Sequence, residues 1–252
     1  MDTLNLDDVQ KYIDDNIEDY YHHQVELTRE LTLDKLLRHN PYLLINKKVT
    51  IVSHLVEELL GTYLSSSEEK LFGDFLEGLA VFIAGKTCGG HKSAATGVDL
   101  EFMNDGIHYV VSIKSGPNWG NSSQQNKLQQ DLQKAVATLK QTQYSANVQA
   151  VLGICYGKTR TSYLRGYLKV VGQNFWYLIS ENKDLYTDII EPIGYRARQH
   201  NDAFFDEKCR VVNLFTKKFI NDFCDDAGNI DWIRLVEWNS GNFDLDHFMS
   251  GK

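Results

Sequence analysis

The segment Gly97–Ala135, "GVDLEFMNDGIHYVVSIKSGPNWGNSSQQNKLQQDLQKA", decides the fold. It contains two strand-like runs on either side of Asp105 and Gly106, a dipeptide that favours a tight two-residue turn. A loop of glycine, asparagine and serine follows Lys114 and leads into a polar stretch that predicts a helix near residues 122–141. The segment therefore predicts a β-hairpin followed by a helix.

The hairpin brings chemically useful side chains together. A turn at Asp105 and Gly106 places Asp99 opposite Ser112, with Lys114 beside it. Because side chains alternate, we expect one face to be core (Leu100, Phe102, Val111, Ile113) and the other to carry polar groups (Asp99, Glu101, Ser112, Lys114) together with Val110. Carboxylates can hold a divalent cation and a lysine can orient a water, which suits phosphodiester hydrolysis. An exposed hairpin with a cross-strand Asp/Lys pair is the alternative.

The flanking segments predict mostly helices before and after this hairpin. Residues 5–38 have helical spacing, a second helix is expected near 49–64, and a third from an N-cap at Ser67 to Gly85. Two strands are expected in "VQAVLGICYG" and "YLRGYLKVV", and the chain from Gln173 is mostly helical with turns at "EPIG" and "DDAGN". The predicted fold is α/β, with a helical region at 1–66, a core at 67–172 and a mostly helical region at 173–252.

Composition limits the class of protein. With 252 residues, of which 42% are hydrophobic, the chain can bury a sizeable core. The four cysteines lack the spacing of a disulfide framework or a zinc site, and the acidic N-terminus resembles no signal peptide, so we expect a cytoplasmic protein without a membrane segment. The net charge of −8 does not exclude a nucleic-acid partner, because basic residues cluster locally in "GKTRTSYLRGYLK". A solvated charge pattern is an equal alternative for that cluster.

Nucleotide-binding and protease signatures are incomplete. The stretches "AGKT" and "YGKT" lack the earlier glycine of a phosphate-binding loop. No HExxH motif occurs, and no GxGxxG motif follows a strand. These two classes of function therefore have little support.

Several motifs resemble a known nuclease family. "GVDLEF" followed by "YVVSIKSG" resembles the PD-(D/E)xK nucleases, with Asp99 as the motif aspartate and Ser112-Ile113-Lys114 as its second half. From about residue 38, "HNPYLL", "SIKSGPNWGNSSQ", "YGKT", "LRGYLKVVGQNFWYLIS" and "DDAGNIDWIRLVEW" together resemble type II restriction endonucleases that cut GGNCC-type sites.

The resemblance implies a fold and an activity. The fold would be a restriction-endonuclease-like core, a central mixed β-sheet flanked by helices, with additional helices at both ends. The activity would be Mg²⁺-dependent, sequence-specific hydrolysis of double-stranded DNA that leaves 5′-phosphates. A homodimer is expected for a palindromic site, and a cognate DNA methyltransferase is expected as a genetic partner.

One position departs from the family pattern, because Ser112 stands where an acid is expected two residues before Lys114. Three carboxylates are possible substitutes: Glu77, Glu101 and Asp131. Glu77 is favoured because it lies in an apolar stretch, where a carboxylate is costly unless it is paired or binds a metal. The predicted catalytic residues are Asp99, Lys114, Glu77, Ser112 and Glu101, and the predicted Mg²⁺ ligands are Asp99, Glu77 and Ile113.

The segment after Lys114 and the basic cluster predict DNA contacts. Small, amide and hydroxyl side chains allow close approach to phosphates and base edges, and a helix N-terminus attracts a phosphate. The predicted DNA-binding residues are Asn118, Trp119, Asn121, Ser122, Ser123, Gln124, Lys158, Arg160 and Arg165. A loop with an N-cap and surface basic residues is the plainer interpretation. A structure-specific repair or recombination nuclease and a catalytically inert DNA-binding protein are the alternative functions.

Overall fold

The computed structural model describes residues 1–142 and 147–245. Helices are α1 (Leu6–Arg29), α2 (Leu33–Leu36), α3 (Pro41–Asn46), α4 (Val52–Cys88), α5 (Ser122–Thr142), α6 (Gln173–Ser180), α7 (Leu185–Asp188), α8 (Ile190–Phe223) and α9 (Trp232–Ser240). Strands are β1 (His91–Lys92), β2 (Leu100–Asn104), β3 (Ile107–Lys114), β4 (Asn147–Ile154), β5 (Ser162–Leu164) and β6 (Tyr167–Val171). The chain divides into a first unit, Met1–Tyr20 with Lys70–His200, and a second, Tyr21–Glu69 with Asn201–Lys252.

The first unit contains a six-stranded mixed sheet with the order β1-β2-β3-β4-β6-β5. The pairs β1–β2, β2–β3 and β5–β6 are antiparallel, whereas β3–β4 and β4–β6 are parallel. The long α5 connects β3 to β4, as a parallel pair requires. The predicted α/β class, a mixed sheet flanked by helices, is confirmed.

The β2–β3 hairpin has the predicted register. Leu100 pairs with Val111 and Asn104 with Ile107, which leaves Asp105 and Gly106 as the turn. Both turn residues have positive φ, 49° and 73°, as a type I′ turn requires. Asp99 is thereby held opposite Ser112, because its N–H donates to the Val111 carbonyl at 2.8 Å.

The expectation of one apolar and one polar hairpin face is only half right. Leu100, Phe102, Val111 and Ile113 are buried, as predicted. On the other face, Val110 is also fully buried, in a cluster with Leu128 and Leu132 of α5. The helix that follows the hairpin covers this face too, so the polar groups are confined to the end of the strands near Asp99 and Lys114.

The expected break before Ser67 is wrong, since α4 runs without interruption from Val52 to Cys88. The hydroxyls of Ser66 and Ser67 donate to the carbonyls of Thr62 and Tyr63, four residues earlier, at 3.3 and 3.1 Å. A serine inside a helix can satisfy its hydroxyl in this way instead of capping. The helix also passes Gly85 before it ends.

Two further expectations need correction. "YLRGYLKVV" forms a hairpin of β5 and β6 with its turn at Arg165 and Gly166, not a single strand. "EPIG" lies inside the first turns of α8, where Pro192 is tolerated because the first helical N–H groups need no intrahelical partner. The turn at "DDAGN" is confirmed by the hydrogen bond from Gly228 N–H to the Asp225 carbonyl at 2.9 Å.

The second unit is helical within its described residues. Its buried core is built mainly from leucines of residues 31–64 and from α8, including Phe215 and Phe219. Asn40 caps α3 and Asp231 caps α9 through their side-chain oxygens. Across the described parts of both units, no helix has the length and apolar character needed to cross a membrane.

Candidate active site

Asp99 is fixed by the strand opposite it. Its Oδ2 accepts hydrogen bonds from the Ile113 N–H at 2.6 Å and from the Ser112 hydroxyl at 3.2 Å. Ser112 is only 1% exposed, so its hydroxyl has little access to solvent and serves the carboxylate. These two donors orient the Asp99 side chain at the end of the hairpin.

Lys114 follows directly on the same face. Its Nζ lies 3.7 Å from Asp99 Oδ2 and donates to the Ile113 carbonyl at 2.7 Å. The ammonium is half-buried beside the carboxylate oxygen that Ile113 and Ser112 also contact. The backbone carbonyl of Lys114 accepts the Cys155 N–H at 2.9 Å, which ties this strand end to β4.

Glu77 of α4 faces the same group of charges. Partial burial is the main cause that raises its pKa above the ordinary range, and the nearby Asp99 carboxylate raises it further. Lys92 and Lys114 oppose this shift. The Nζ of Lys92 in β1 lies 3.6 Å from Glu77 Oε1. Glu77 therefore interacts electrostatically with Asp99, while Lys92 pairs with Glu77 and Lys114 pairs with Asp99.

The thiol of Cys155 borders the site from the end of β4. Burial raises its pKa to about 12, Glu77 adds to the shift, and Lys114 opposes it. Because this pKa lies well above physiological pH, the thiol is neutral there. The reactive thiolate form is therefore not populated. Cys155 lines a cleft that differs from the one lined by Glu77, and its sequence context gave no indication of this position.

The donor set fits a hard divalent cation. Mg²⁺ is commonly held by one or two carboxylates, with water and substrate phosphate completing its shell. Asp99 and Glu77 supply two carboxylates whose mutual repulsion a cation would relieve. The Ile113 carbonyl, the third predicted ligand, accepts the Lys114 ammonium in this structure and has a second lone pair. No group of three or more His, Cys, Asp or Glu side chains able to hold a metal occurs within residues 1–142 and 147–245.

The other two candidate acids have different surroundings. Glu101 accepts a short hydrogen bond from the Ser93 hydroxyl and lies 3.0 Å from His108 Nε2. Asp131 pairs with Lys127 at 3.2 Å. Both line a cleft that differs from the one lined by Glu77.

The predicted DNA-binding loop is ordered mainly by its own hydrogen bonds. The Gln124 N–H donates to Asn121 Oδ1 at 3.1 Å, and the Asn121 N–H donates to Gln124 Oε1 at 2.9 Å. This reciprocal pair is a capping box at the start of α5, a pattern that "NSSQ" already contains. Asn118, Ser122 and Ser123 are exposed, whereas Trp119 packs against the cluster beneath α5.

The basic cluster surrounds the β5–β6 hairpin. Lys158 and Arg160 lie in the loop before β5, and Arg165 lies in the hairpin turn. All three side chains are exposed. The structure therefore leaves them accessible to a ligand and does not bring them into hydrogen-bond contact with Asp99 or Lys114.

The mixed sheet flanked by helices, together with acids and a lysine at a hairpin end, is consistent with a restriction-endonuclease-like core. The family model for the type II restriction endonuclease EcoO109I matches residues 7–201, which is most of the chain. The chain therefore belongs to the EcoO109I family of type II restriction endonucleases. It is a nuclease that acts on DNA. No individual curated protein matches the chain.

Proposed function

We propose that the protein is a Mg²⁺-dependent endonuclease that hydrolyses both strands of double-stranded DNA at a specific sequence and leaves 5′-phosphates. The observation that carries this proposal is the Asp99–Lys114 pair at the end of the β2–β3 hairpin, 3.7 Å apart, with Glu77 near enough for its pKa to respond to both charges. The arrangement corresponds to a PD-(D/E)xK site in which Glu77 replaces the acid that is absent at Ser112.

Asp99, Glu77 and the Ile113 carbonyl would hold the cation. When bound, Mg²⁺ polarises the phosphate, lowers the pKa of water and offsets negative charge in the transition state. The hydrogen bonds from Ile113 and Ser112 keep Asp99 in place before DNA arrives, which reduces the reorganisation needed for reaction.

Lys114 is the residue that orients the attacking water. Its ammonium lies beside Asp99 and points to the same side of the hairpin, where it would stabilise charge that develops on the phosphate. Attack at phosphorus breaks the bond to the 3′ oxygen, which leaves as the 3′-hydroxyl after protonation. The phosphate remains on the 5′ end.

Sequence recognition and assembly form the second part of the proposal. The exposed residues Asn118, Ser122, Ser123, Lys158, Arg160 and Arg165 supply donors and charges for DNA. The motifs that resemble type II restriction endonucleases favour a GGNCC-type site. Asn121 and Gln124 hold the loop that presents these groups. A homodimer would place two active sites on a palindrome. A cognate methyltransferase would protect the cytoplasmic DNA of the host.

The test is digestion of phage DNA of known sequence with Mg²⁺, followed by mapping of the ends. Discrete fragments with 5′-phosphates at one palindromic sequence are expected. Nicking limited to branched or single-stranded regions would indicate a structure-specific nuclease instead. Binding without cleavage would indicate a DNA-binding protein that has lost catalysis.

A further inference from the structure

Lys92 lies beside the candidate active site but has no role in the mechanism proposed for Asp99, Glu77 and Lys114. It lies in the short strand β1, whose pairing with Leu100 of β2 places it next to the active-site hairpin. Its Nζ is 3.6 Å from Glu77 Oε1, and its side chain is 74% exposed. Lys92, Glu77 and Asp74 also line one open cleft of about 470 Å³. The ammonium therefore reaches Glu77 from the solvent side.

Charge balance indicates how this contact would respond to a cation. Without a cation, the carboxylates of Asp99 and Glu77 are balanced by the ammonium groups of Lys114 and Lys92. A divalent cation at the carboxylates would replace Lys92 as the partner of Glu77 and would leave two uncompensated positive charges. A phosphodiester and an attacking hydroxide carry two negative charges, so DNA and the nucleophile restore the balance.

We propose that Lys92 is a second active-site lysine, which leaves Glu77 when a divalent cation binds and then contacts a phosphate of the DNA backbone. This inference rests on the proposed function at the same site. Lys92 is suited to the change because a lysine carries a compact charge on a flexible stem. Its exposure means that the side chain can move without opening the core.

The first test measures DNA affinity over a series of salt concentrations. A duplex that contains the mapped cleavage site is used, in Ca²⁺ and separately in EDTA, with wild type, Lys92→Met and Lys92→Arg. In Ca²⁺, Lys92→Met is expected to reduce the slope of log K against log salt by about 0.9, the value for one phosphate contact on B-DNA. In EDTA the two slopes should agree, and Lys92→Arg should keep the wild-type slope in both conditions.

Lys11→Met is the matched control. Lys11 is 75% exposed and pairs with one carboxylate, Asp15, at 2.7 Å, so it resembles Lys92 in exposure and in pairing. An unchanged slope is expected for this variant. An equal loss for Lys11→Met, an equal loss for Lys92→Met in Ca²⁺ and EDTA, or no loss at all would overturn the proposal.

A second test needs no metal. Glu77→Gln removes the partner of Lys92, so in EDTA its slope should exceed that of wild type by about 0.9. The double variant Glu77→Gln/Lys92→Met should return to the wild-type slope, and a double variant that keeps the steeper slope would count against Lys92.

Cleavage by the wild type is measured separately in Mg²⁺, so that failure of the nuclease proposal can be distinguished from failure of the Lys92 proposal. A wild type that binds and never cuts contradicts the nuclease proposal, whereas unchanged slopes contradict the role of Lys92.

Discussion

The Asp99 carboxylate accepts the backbone N–H of Ile113 at 2.6 Å, across the hairpin from its own strand. The backbone of one strand therefore fixes the acid of the other. Because Ser112 donates to the same oxygen at 3.2 Å, one carboxylate oxygen is committed to the protein. We expect the other oxygen to be the one that meets a cation, and the following experiments examine that arrangement.

Asp99→Asn should reduce DNA cleavage by about 100-fold or more, because it removes the charge that a cation needs. The amide oxygen can still accept the Ile113 N–H, so the hairpin should stay folded. Single-turnover cleavage and binding in Ca²⁺ measure the two effects, with circular dichroism as the control for folding. Near wild-type cleavage by this variant would rule out the proposed site.

Lys114→Ala should slow the chemical step by about 100-fold or more and weaken binding much less, because its charge acts mainly in the transition state. Arg165→Ala is the contrasting variant, since Arg165 is an exposed residue of the hairpin turn. It should lower the salt slope of binding by about 0.9 and leave saturated cleavage nearly intact. A normal saturated rate for Lys114→Ala would reject its catalytic role.

Three substitutions can decide which carboxylate replaces the acid that is absent at Ser112. Glu77→Gln should need at least about tenfold more Mg²⁺ for half-maximal cleavage, since even the loss of an outer partner of a metal site costs this much. Glu101→Gln and Asp131→Asn should stay within about threefold of wild type, because their carboxylates serve His108, Ser93 and Lys127. A Mg²⁺ titration measures the effect. A larger change for Asp131→Asn than for Glu77→Gln would indicate that Asp131 of α5, and not Glu77, binds the cation.

The raised pKa of Glu77 also predicts how stability depends on pH. The folded protein holds this proton more tightly than the unfolded chain, so Glu77 lowers stability as the pH rises from the ordinary glutamate pKa through the raised value. In EDTA, Glu77→Gln should therefore melt at a higher temperature than wild type at pH 8. The difference should vanish at low pH, where both side chains are neutral. A lower melting temperature for the variant at pH 8 would contradict the sign of the shift.

Two helix positions test the local structure. Asn121→Ala should destabilise the protein by about 1 kcal/mol, because Asn121 caps α5. Ser67→Ala should be neutral or slightly stabilising, since Ser67 lies within α4 and alanine is the better helix former. Urea unfolding of both variants measures the difference. A loss of about 1 kcal/mol for Ser67→Ala would indicate that a helix starts there after all.

The parts of the site that depend on local rules were predictable from the sequence. The Asp-Gly turn fixes the hairpin register, and the register alone brings Asp99 to Ser112 and Lys114. Glu77 stood out as an acid within apolar residues. Its approach to Asp99 agrees with that reasoning, although its role as a ligand stays a prediction.

Other features could not be predicted from the sequence. Some depend on contacts between residues that are distant in the chain, and one depends on whether a serine caps a helix or continues it. Lys92 comes to Glu77 only through the pairing of β1 with β2, which two residues of sequence do not specify. Glu101 shares a strand face with Asp99, but Ser93 and His108 engage its carboxylate. The serines before Glu68 resemble the N-cap of a new helix. In the structure they lie inside α4, where Ser66 and Ser67 donate to carbonyls of the preceding turn.

Burial at Ser112 makes an acid at this position difficult to introduce by a single substitution. A glutamate at this position would have to fit beneath α5, where the serine is 1% exposed, and would remove a hydrogen bond that Asp99 now receives. It would also add a third negative charge near Asp99 and Glu77, where burial and then the Asp99 charge already raise the pKa of Glu77. An acid at position 112 would therefore require loss of the Glu77 carboxylate and repacking around Ser112, so substitutions at the two positions are coupled.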